Sequence, residues 1–230
     1  AMRLDKYIAS VSNYSRSQVK QAVKTKDVSV NGVKATTASM KVNDSDDVTI
    51  YGNAMRAAGL RYIMLHKPKG YVSANKDANS PTALDLIDED NLEKLHIAGR
   101  LDVDSTGLLL LTDDGKWTHR VISPNRDCVK RYKVTLEHPI EDDYAERLAG
   151  GMLLTGEPKP CKPATLEVID AHTAWLSISE GKFHQIKRMF IQLNNLVTDL
   201  HRESIGDIML DQNLAPGEYR FLSPQEIESV

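Results

Sequence analysis

Residues 98–115 read AGRLDVDSTGLLLLTDDG, and this stretch decides the fold of the larger part of the chain. The apolar run from Gly107 to Thr112 has turn residues at both ends, which predicts a strand that is buried on both faces. Two carboxylates, Asp102 and Asp104, precede this strand in a loop bounded by glycine. On composition alone, such residues cap local backbone N–H groups more often than they catalyse. The stretch predicts a central buried strand and leaves the role of its carboxylates open.

Patterns on both sides of this strand predict the rest of the larger unit. Alternation of apolar and polar residues predicts half-buried strands, and apolar residues at helical spacing predict helices. The predicted strands are 61–67, 107–112, 130–137, 165–170 and 174–179, and the predicted helices are 116–122, 141–149, which Gly150-Gly151 would stop, and 184–195. Because strands and helices do not alternate strictly, the pattern predicts an α+β domain around a mixed or antiparallel sheet.

The N-terminal residues predict a small αβ module. The segments RLDKYIAS and SRSQVKQAVKTK predict two helices, the second of which begins after the N-cap residue Ser15. Three short strands surround the turn pair Asn31-Gly32, which suits a hairpin with positive φ at both central residues. The predicted organisation is a domain over 1–52, a linker without periodicity over 53–60, and a second domain over 61–230.

The distribution of charge predicts contact with a polyanion, although the net charge of the 230 residues is −3. Residues 1–42 carry eight basic residues against two acidic ones, and residues 115–133 carry six against one. Phosphate neutralisation supplies most of the non-specific affinity for nucleic acids. Both clusters are therefore typical of a nucleic-acid-binding surface.

Several protein classes are disfavoured by the composition. No apolar run approaches the roughly 18 residues of a membrane span, and the first residues do not resemble a signal peptide, which predicts a cytoplasmic protein. Cys128 and Cys161 lack the spacing of a zinc site or a disulfide framework, and the seven histidines are scattered. We therefore predict no metal site.

Several motifs in order resemble one known family. GRLD followed by TGLLLLT resembles the catalytic-loop motif of pseudouridine synthases of the small-subunit ribosomal type, and Asp102 matches the family's catalytic aspartate. Tyr132 in KRYKVTL matches the active-site tyrosine, and Lys187 in EGKFHQIKRMF matches the basic partner of the aspartate. The segments RLDKYIA, SRSQVKQAV and VSVNG are similar to the S4-type RNA-binding module, and LHRESIGDIMLDQNLAPGEYRFL is similar to the family's C-terminal segment.

The resemblance implies a cofactor-free isomerase that converts uridine to pseudouridine in ribosomal RNA, most directly in 16S RNA. Breaking the N1–C1′ bond develops positive charge on the sugar, which a carboxylate stabilises. Asp102 would either attack C1′ or remove a proton from C2′, and both routes remain open at this point. Tyr132 would stack on the extruded uracil, and Lys187 would favour the ionised carboxylate.

The predicted RNA contacts are basic or polar residues of the S4-like module and of the segments around the candidate site. They are Arg3, Lys6, Arg16, Lys20, Lys24, Arg100, Arg131, His184, Gln185, Arg188 and Arg202. The expected partner is 16S RNA in a partly assembled small subunit, bound by a monomer and without a membrane. Two positions depart from the resemblance, since most related groups have Arg in place of Lys187 and S4 modules usually have Gly in place of Lys26.

Three alternatives stay open on the sequence. The first is a synthase that acts on large-subunit RNA, although Phe183, His184 and Lys187 favour the small-subunit type. The second is a non-catalytic RNA-binding protein. The third is a glycosidase or nucleoside hydrolase that uses Asp102 and Asp104 as a carboxylate pair. A product of unchanged mass would exclude the hydrolase.

Overall fold

The computed structural model describes residues 1–43, 46–55 and 59–230. Contacts divide the chain into two compact units. The first unit comprises Ala1–Leu60 and Asp114–Lys116, and the second comprises Arg61–Asp113 and Trp117–Val230. Each unit has a hydrophobic core of its own. In the described ranges, no helix combines the length and the apolar character that crossing a membrane requires.

The strands and helices are numbered in chain order. The strands are β1 (Met2–Arg3), β2 (Val28–Val30), β3 (Val33–Lys34), β4 (Lys41–Val42), β5 (Val48–Ile50), β6 (Asn53–Ala54), β7 (Tyr62–Lys67), β8 (His96–Ala98), β9 (Thr106–Thr112), β10 (Lys130–Leu136), β11 (Thr165–Val168), β12 (Thr173–Ile178), β13 (Val197–Ile205), β14 (Ile208–Met209) and β15 (Tyr219–Phe221). The α-helices are α1 (Leu4–Val11), α2 (Arg16–Lys24), α3 (Gly115–Ile122), α4 (Tyr144–Ala149), α5 (Gln185–Gln192) and α6 (Pro224–Glu228).

In the first unit, Ser15 is the N-cap of α2, as the sequence predicts, and it forms a capping box with Gln18. The Ser15 hydroxyl accepts the Gln18 backbone N–H at 3.1 Å, and the Gln18 side-chain oxygen accepts the Ser15 N–H at 2.7 Å. These two bonds satisfy donors that the first helical turn leaves without partners. Val19, Ala22 and Val23 then bury one face of the helix in the core of this unit.

Lys26 and the Asn31-Gly32 pair adopt the left-handed conformation that favours glycine. The Asn31-Gly32 turn has φ of 53° and 79° and joins β2 to β3, which confirms the predicted hairpin. Lys26 has φ of 60°, at the position where the S4 resemblance expects glycine. The Lys34 ammonium donates to the Lys26 carbonyl at 2.7 Å. The backbone geometry expected of glycine is therefore present with a lysine.

The stretch 53–60, predicted as a linker, contains a strand. Tyr51 and Gly52 have φ of 50° and 78°, and the turn that they form joins β5 to β6. The sequence misses this hairpin because an aromatic residue at a positive-φ position is not a turn signal. Residues 56–58 of the predicted linker lie outside the described residues.

The second unit is built on a sheet of nine strands, counted over the residues that the structure describes. The strand order is β11-β12-β10-β13-β9-β7-β15, with β14 beside β13 and β8 beside β9. Strands β9 and β13 pair in parallel, whereas the other neighbours pair antiparallel. The predicted α+β class with a mixed sheet is confirmed.

The parallel pair of β9 and β13 requires a glycine. Gly107 has φ of +111° and faces Arg202 in register, and a Cβ at this position would lie 2.2 Å from the Arg202 carbonyl oxygen. On the other side of Arg202, β10 places Tyr132 opposite it, next to a register shift at Arg131. Such irregularities are frequent beside active sites. Arg202 therefore lies between the central strand and the strand that carries Tyr132.

The core of the second unit explains which residues of α5 stay near the surface. The four leucines 108–111 of β9 are fully buried, as the apolar run predicts. Ile186, Met189 and Phe190 bury one face of α5 in the same unit's core. Lys187 and Arg188 lie between these positions and are only half-buried.

Gly107→Ala should lower the free energy of unfolding by more than about 3 kcal/mol, because the added methyl group collides with the backbone of β13. Gly70→Ala is the matched control, since Gly70 has φ of +91° and nothing within 4 Å of an added Cβ. There, the cost of the left-handed backbone alone is about 1–2 kcal/mol. Urea unfolding measures both changes, and equal losses would contradict the proposed close approach.

Candidate active site

The loop of residues 99–105 carries Asp102 between β8 and β9. The Ser73 hydroxyl donates to the Leu101 carbonyl at 2.7 Å and accepts the Leu101 N–H at 3.1 Å, and both bonds are buried. The Ser105 N–H donates to the Asp102 carbonyl at 3.0 Å. The backbone is thereby held from the inside, while the Asp102 side chain remains 29% exposed.

Lys67, the last residue of β7, is fully buried beneath this loop. Its ammonium donates to the carbonyls of Pro68 at 3.0 Å, Val103 at 3.2 Å and Ser105 at 2.7 Å. The three N–H donors of the ammonium therefore all have acceptors. Burial outweighs the attraction of nearby carboxylates and lowers the pKa of Lys67 to about 8.

Arg202 is 1% exposed and connects three parts of the site. Its Nε donates to the Leu108 carbonyl at 2.9 Å and its Nη2 to the Gly99 carbonyl at 2.9 Å. Its Nη1 lies 3.3 Å from the Arg100 carbonyl and 3.4 Å from the Tyr132 hydroxyl. The sequence predicts an RNA contact for Arg202, but the guanidinium lies inside the protein. The structure assigns it instead to the support of the loop and of Tyr132.

Two side chains from the start of α5 lie against the Asp102 carboxylate. Lys187 Nζ is 3.1 Å from Oδ2, and His184 Nε2 is 3.3 Å from Oδ1. An ammonium at this distance favours the ionised form of a carboxylate. The structure thus brings together Asp102 and Lys187, which are 85 positions apart in the sequence.

Asp104 shares the same ammonium, whereas the sequence favours a turn role for it and considers it as part of a carboxylate pair only in the hydrolase alternative. Lys187 Nζ donates to Asp104 Oδ1 at 2.7 Å, and this bond lowers the pKa of Asp104. Partial burial opposes the charge of Lys187, but the bonds to Asp104 and Asp102 outweigh it and raise the pKa of Lys187. Lys187 therefore stays protonated at neutral pH. The Asp-x-Asp spacing was the available signal for this second acceptor.

The turn before α5 is fixed by buried contacts. His184 is the N-cap residue with φ of +46°, in the left-handed region that a non-glycine residue adopts at an energetic cost. Gln185 is 3% exposed, accepts the Lys182 N–H at 3.0 Å and donates to Glu180 Oε1 at 3.0 Å. Gln185, predicted as an RNA contact, is therefore committed to the turn.

Arg131, another predicted RNA contact, is engaged by its neighbours on the sheet. Its guanidinium carbon lies 4.2 Å from the centroid of the Trp175 ring. Its terminal nitrogens lie 3.3 Å from Glu167 and 3.4 Å from Glu203. With these contacts, the Arg131 side chain is 35% exposed. The carboxylates offset the positive charge that RNA binding would use.

The two remaining arginines of this group differ in exposure. Arg188 donates to Glu157 at 2.9 Å and to the Thr155 carbonyl at 3.0 Å, and its side chain is 27% exposed. Arg100 is exposed and precedes Asp102 by two positions. Arg100 is therefore the guanidinium of the loop that is accessible to an RNA phosphate.

In the first unit, the buried carboxylate of Asp5 accepts hydrogen bonds from two of the predicted RNA-contacting arginines. Arg3 donates to it at 2.9 Å and Arg16 at 3.4 Å. The hydrogen bond from Arg3, opposed by burial, lowers the pKa of Asp5 to about 2. Three further predicted contacts are exposed lysines, namely Lys6, Lys20 and Lys24.

The site offers a carboxylate held beside an ammonium, an adjacent imidazole and a buried phenol. These groups support nucleophilic or acid–base chemistry by the carboxylate. Within the described ranges, no group of three or more His, Cys, Asp or Glu side chains is placed to hold a metal ion. Cys128 and Cys161 are both free thiols.

Comparisons with known proteins agree with this arrangement. The family model described as RNA pseudouridylate synthase matches residues 61–192, and the S4 domain model matches residues 2–48.

The chain is 49% identical over 230 residues to the ribosomal small subunit pseudouridine synthase A of Yersinia pestis, covering 100% of this chain and 98% of that protein. The protein of the same name from Pasteurella multocida is 50% identical over 228 residues, covering 98% of each chain. A crystal structure of a pseudouridylate synthase, 45% identical, matches with a TM-score of 0.73 over 100% of this chain and 99% of the other.

Between about pH 8 and pH 10, the free energy of unfolding of the wild type should rise relative to that of Lys67→Met. The folded pKa of Lys67 is about 8, below the value of about 10.4 in an unfolded chain. In this window the unfolded chain binds a proton that the folded chain releases, so stability rises with pH. Urea unfolding of both proteins at several pH values measures the difference.

Lys69→Met provides the control for this prediction. Lys69 is exposed, and its hydrogen bond to Asp199 raises its pKa. The difference between the wild type and this variant should therefore not widen as the pH increases over the same window. A difference that stays constant with pH for Lys67→Met would show that the buried ammonium does not titrate in this range.

Proposed function

The chain belongs to the RNA pseudouridylate synthase family and carries an S4 domain, and on this basis we propose that it isomerises one uridine of 16S ribosomal RNA to pseudouridine. Family membership makes it an RNA pseudouridine synthase. The names of its relatives, which specify the ribosomal small subunit, support the 16S RNA as substrate. The observation that carries the assignment of the site is the Asp102 carboxylate, partly exposed and 3.1 Å from the Lys187 ammonium.

In the proposed reaction, Asp102 acts on the sugar of the target nucleotide. The bond between N1 and C1′ breaks, the uracil turns, and a bond between C5 and C1′ forms. C5 loses a proton and N1 gains one, so the product is an isomer and no electrons or water are consumed. A carboxylate beside C1′ either attacks the cationic carbon or removes the C2′ proton, and both steps require the ionised form.

The surroundings of Asp102 place a positive charge beside it. The Lys187 ammonium stabilises the negative charge of the carboxylate, and the bond to Asp104 holds the ammonium in place. The Tyr132 hydroxyl contacts the same Arg202 nitrogen that donates to the Arg100 carbonyl. The phenol is thereby tied to the inner side of the catalytic loop. Because the side chain is only 7% exposed, the stacking of the extruded uracil on its ring would require the ring to become accessible when RNA binds.

The S4 domain contributes RNA affinity in this proposal. Lys6, Lys20 and Lys24 are exposed in the region matched by the S4 model, and their charges suit the phosphates of a folded RNA. The proposed setting is the cytoplasm, where the chain acts as a monomer on 16S RNA in a partly assembled small subunit. The names of the relatives support this choice of ribosomal particle.

The alternatives from the sequence fit less well. A hydrolase of the two-carboxylate type needs one carboxylate that is protonated and one that is ionised. Here one ammonium contacts both Asp102 and Asp104, and its hydrogen bond lowers the pKa of Asp104, which disfavours Asp104 as the protonated carboxylate of such a pair. A large-subunit substrate would depart from the relatives that match the full chain.

Asp102→Asn should abolish the isomerisation while leaving RNA binding intact. An amide can neither attack C1′ nor accept a proton, so release of tritium from uracil C5 in labelled 16S RNA should fall by at least roughly 10³-fold. Asp104→Asn, which loses the other carboxylate on Lys187, should retain measurable release. If Asp102→Asn keeps normal release and Asp104→Asn loses it, the assignment of the catalytic carboxylate is wrong.

Lys20→Gln combined with Lys24→Gln should weaken RNA binding and reduce its salt dependence. Each lost phosphate contact removes about 0.7–0.9 from the slope of log K against log salt concentration. Titration of the target RNA at several salt concentrations measures the slope. Lys34→Gln is the control within the same unit, because the Lys34 ammonium is bonded to the Lys26 carbonyl, and it should leave the slope unchanged.

A further inference from the structure

Phe183 is the most exposed of the large apolar side chains in the described part of the chain, at 75%. A ring left in water forgoes the stabilisation that burial would bring, so this ring contributes little to the core. It lies in the turn that leads into α5, directly before His184. The exposure of this ring, one residue before the His184 that contacts Asp102, is therefore not explained by folding.

The position of Phe183 is fixed by its neighbours. Its ring stacks on the His184 ring with centroids 3.9 Å apart and planes inclined by 20°. The Arg188 guanidinium donates to the Phe183 carbonyl at 2.9 Å and is itself held by Glu157 at 2.9 Å. A ring that is held before a ligand arrives loses little conformational entropy on binding.

Phe183 and His184 together join an exposed aromatic ring to the Asp102 carboxylate. His184 Nε2 is 3.3 Å from the Asp102 carboxylate, so the Phe183 ring is one side chain removed from that carboxylate. One face of the ring covers His184, and the high exposure leaves the other face open. Val103, which follows Asp102 in the loop, is also an exposed apolar side chain, at 45%.

We propose that Phe183, backed by His184, is a stacking platform for an RNA base that flanks the target uridine. This inference rests on the proposed function, which brings the neighbouring nucleotides to the edge of the same site. Extruding the uridine removes a stacking partner from its neighbours, and an aromatic face replaces that partner. Because every base presents a π face, the platform increases affinity without selecting a sequence.

The first test compares variants of Phe183 in binding and in turnover. Phe183→Ala should raise the Kd for an RNA fragment with the target site by roughly 5- to 100-fold. Phe183→Trp should keep the Kd within about 3-fold, because an aromatic face remains. The rate of isomerisation at saturating RNA should change far less than the Kd. Phe221→Ala, at another exposed phenylalanine, is the control and should leave the Kd unchanged.

The second test locates the base. RNA fragments that carry 2-aminopurine on either side of the target uridine are bound at saturation to Asp102→Asn protein, which prevents turnover. At one flanking position, fluorescence should stay low with Phe183 and increase with Phe183→Ala, because an unstacked 2-aminopurine is brighter than a stacked one.

The outcomes separate this inference from the proposed function. Unchanged Kd and fluorescence in Phe183→Ala, with normal isomerisation, would overturn the platform and leave the function intact, and would direct attention to a protein contact for this ring. An equal loss of affinity in Phe183→Ala and Phe183→Trp would also overturn stacking. Absence of isomerisation by the wild-type protein would contradict the proposed function itself.

Discussion

Two buried cations determine where the Asp102 carboxylate lies. Lys67 and Arg202 donate to backbone carbonyls of residues 99–105, from beneath the loop. A buried cation without acceptors is costly, so the carbonyls must stay where these donors reach them. The loop cannot shift without leaving a positive charge unsatisfied. Satisfying the two charges therefore fixes the backbone from which the Asp102 side chain projects.

The contacts of Arg202 also depend on how the strands of the sheet are arranged. Arg202 reaches the loop because Gly107 lets β13 approach β9, and it contacts Tyr132 because β10 is the next strand. On the outer side of the loop, a third cation has a different role. Lys187 contacts Asp102 from the partly exposed side, with its ammonium 3.1 Å from the carboxylate. The cations that hold the loop backbone and the cation that pairs with the carboxylate are thus different residues.

Local patterns in the sequence were sufficient for much of the fold. The apolar run from Gly107 to Thr112 predicts the fully buried strand, Ser15 predicts the start of α2, and Asn31-Gly32 predicts the first hairpin. These signals depend only on residues a few positions apart, such as a capping box or a turn that needs positive φ. The hairpin at Tyr51 was missed because its first turn residue has no such preference.

The sequence by itself determined the buried strand, the α+β class and, through its motifs, the family and the candidate carboxylate Asp102. Only the tertiary structure decided the roles of Arg202, Gln185 and Asp104. Arg202 lies in a segment where apolar and polar residues alternate. This pattern is the same whether the arginine contacts RNA at the surface or donates to carbonyls in the interior. The parallel pairing of β13 with β9 buries its guanidinium, and Asp104 meets Lys187 across 83 positions of sequence. Burial and partnership of charged groups depend on contacts between distant segments, which periodicity does not encode.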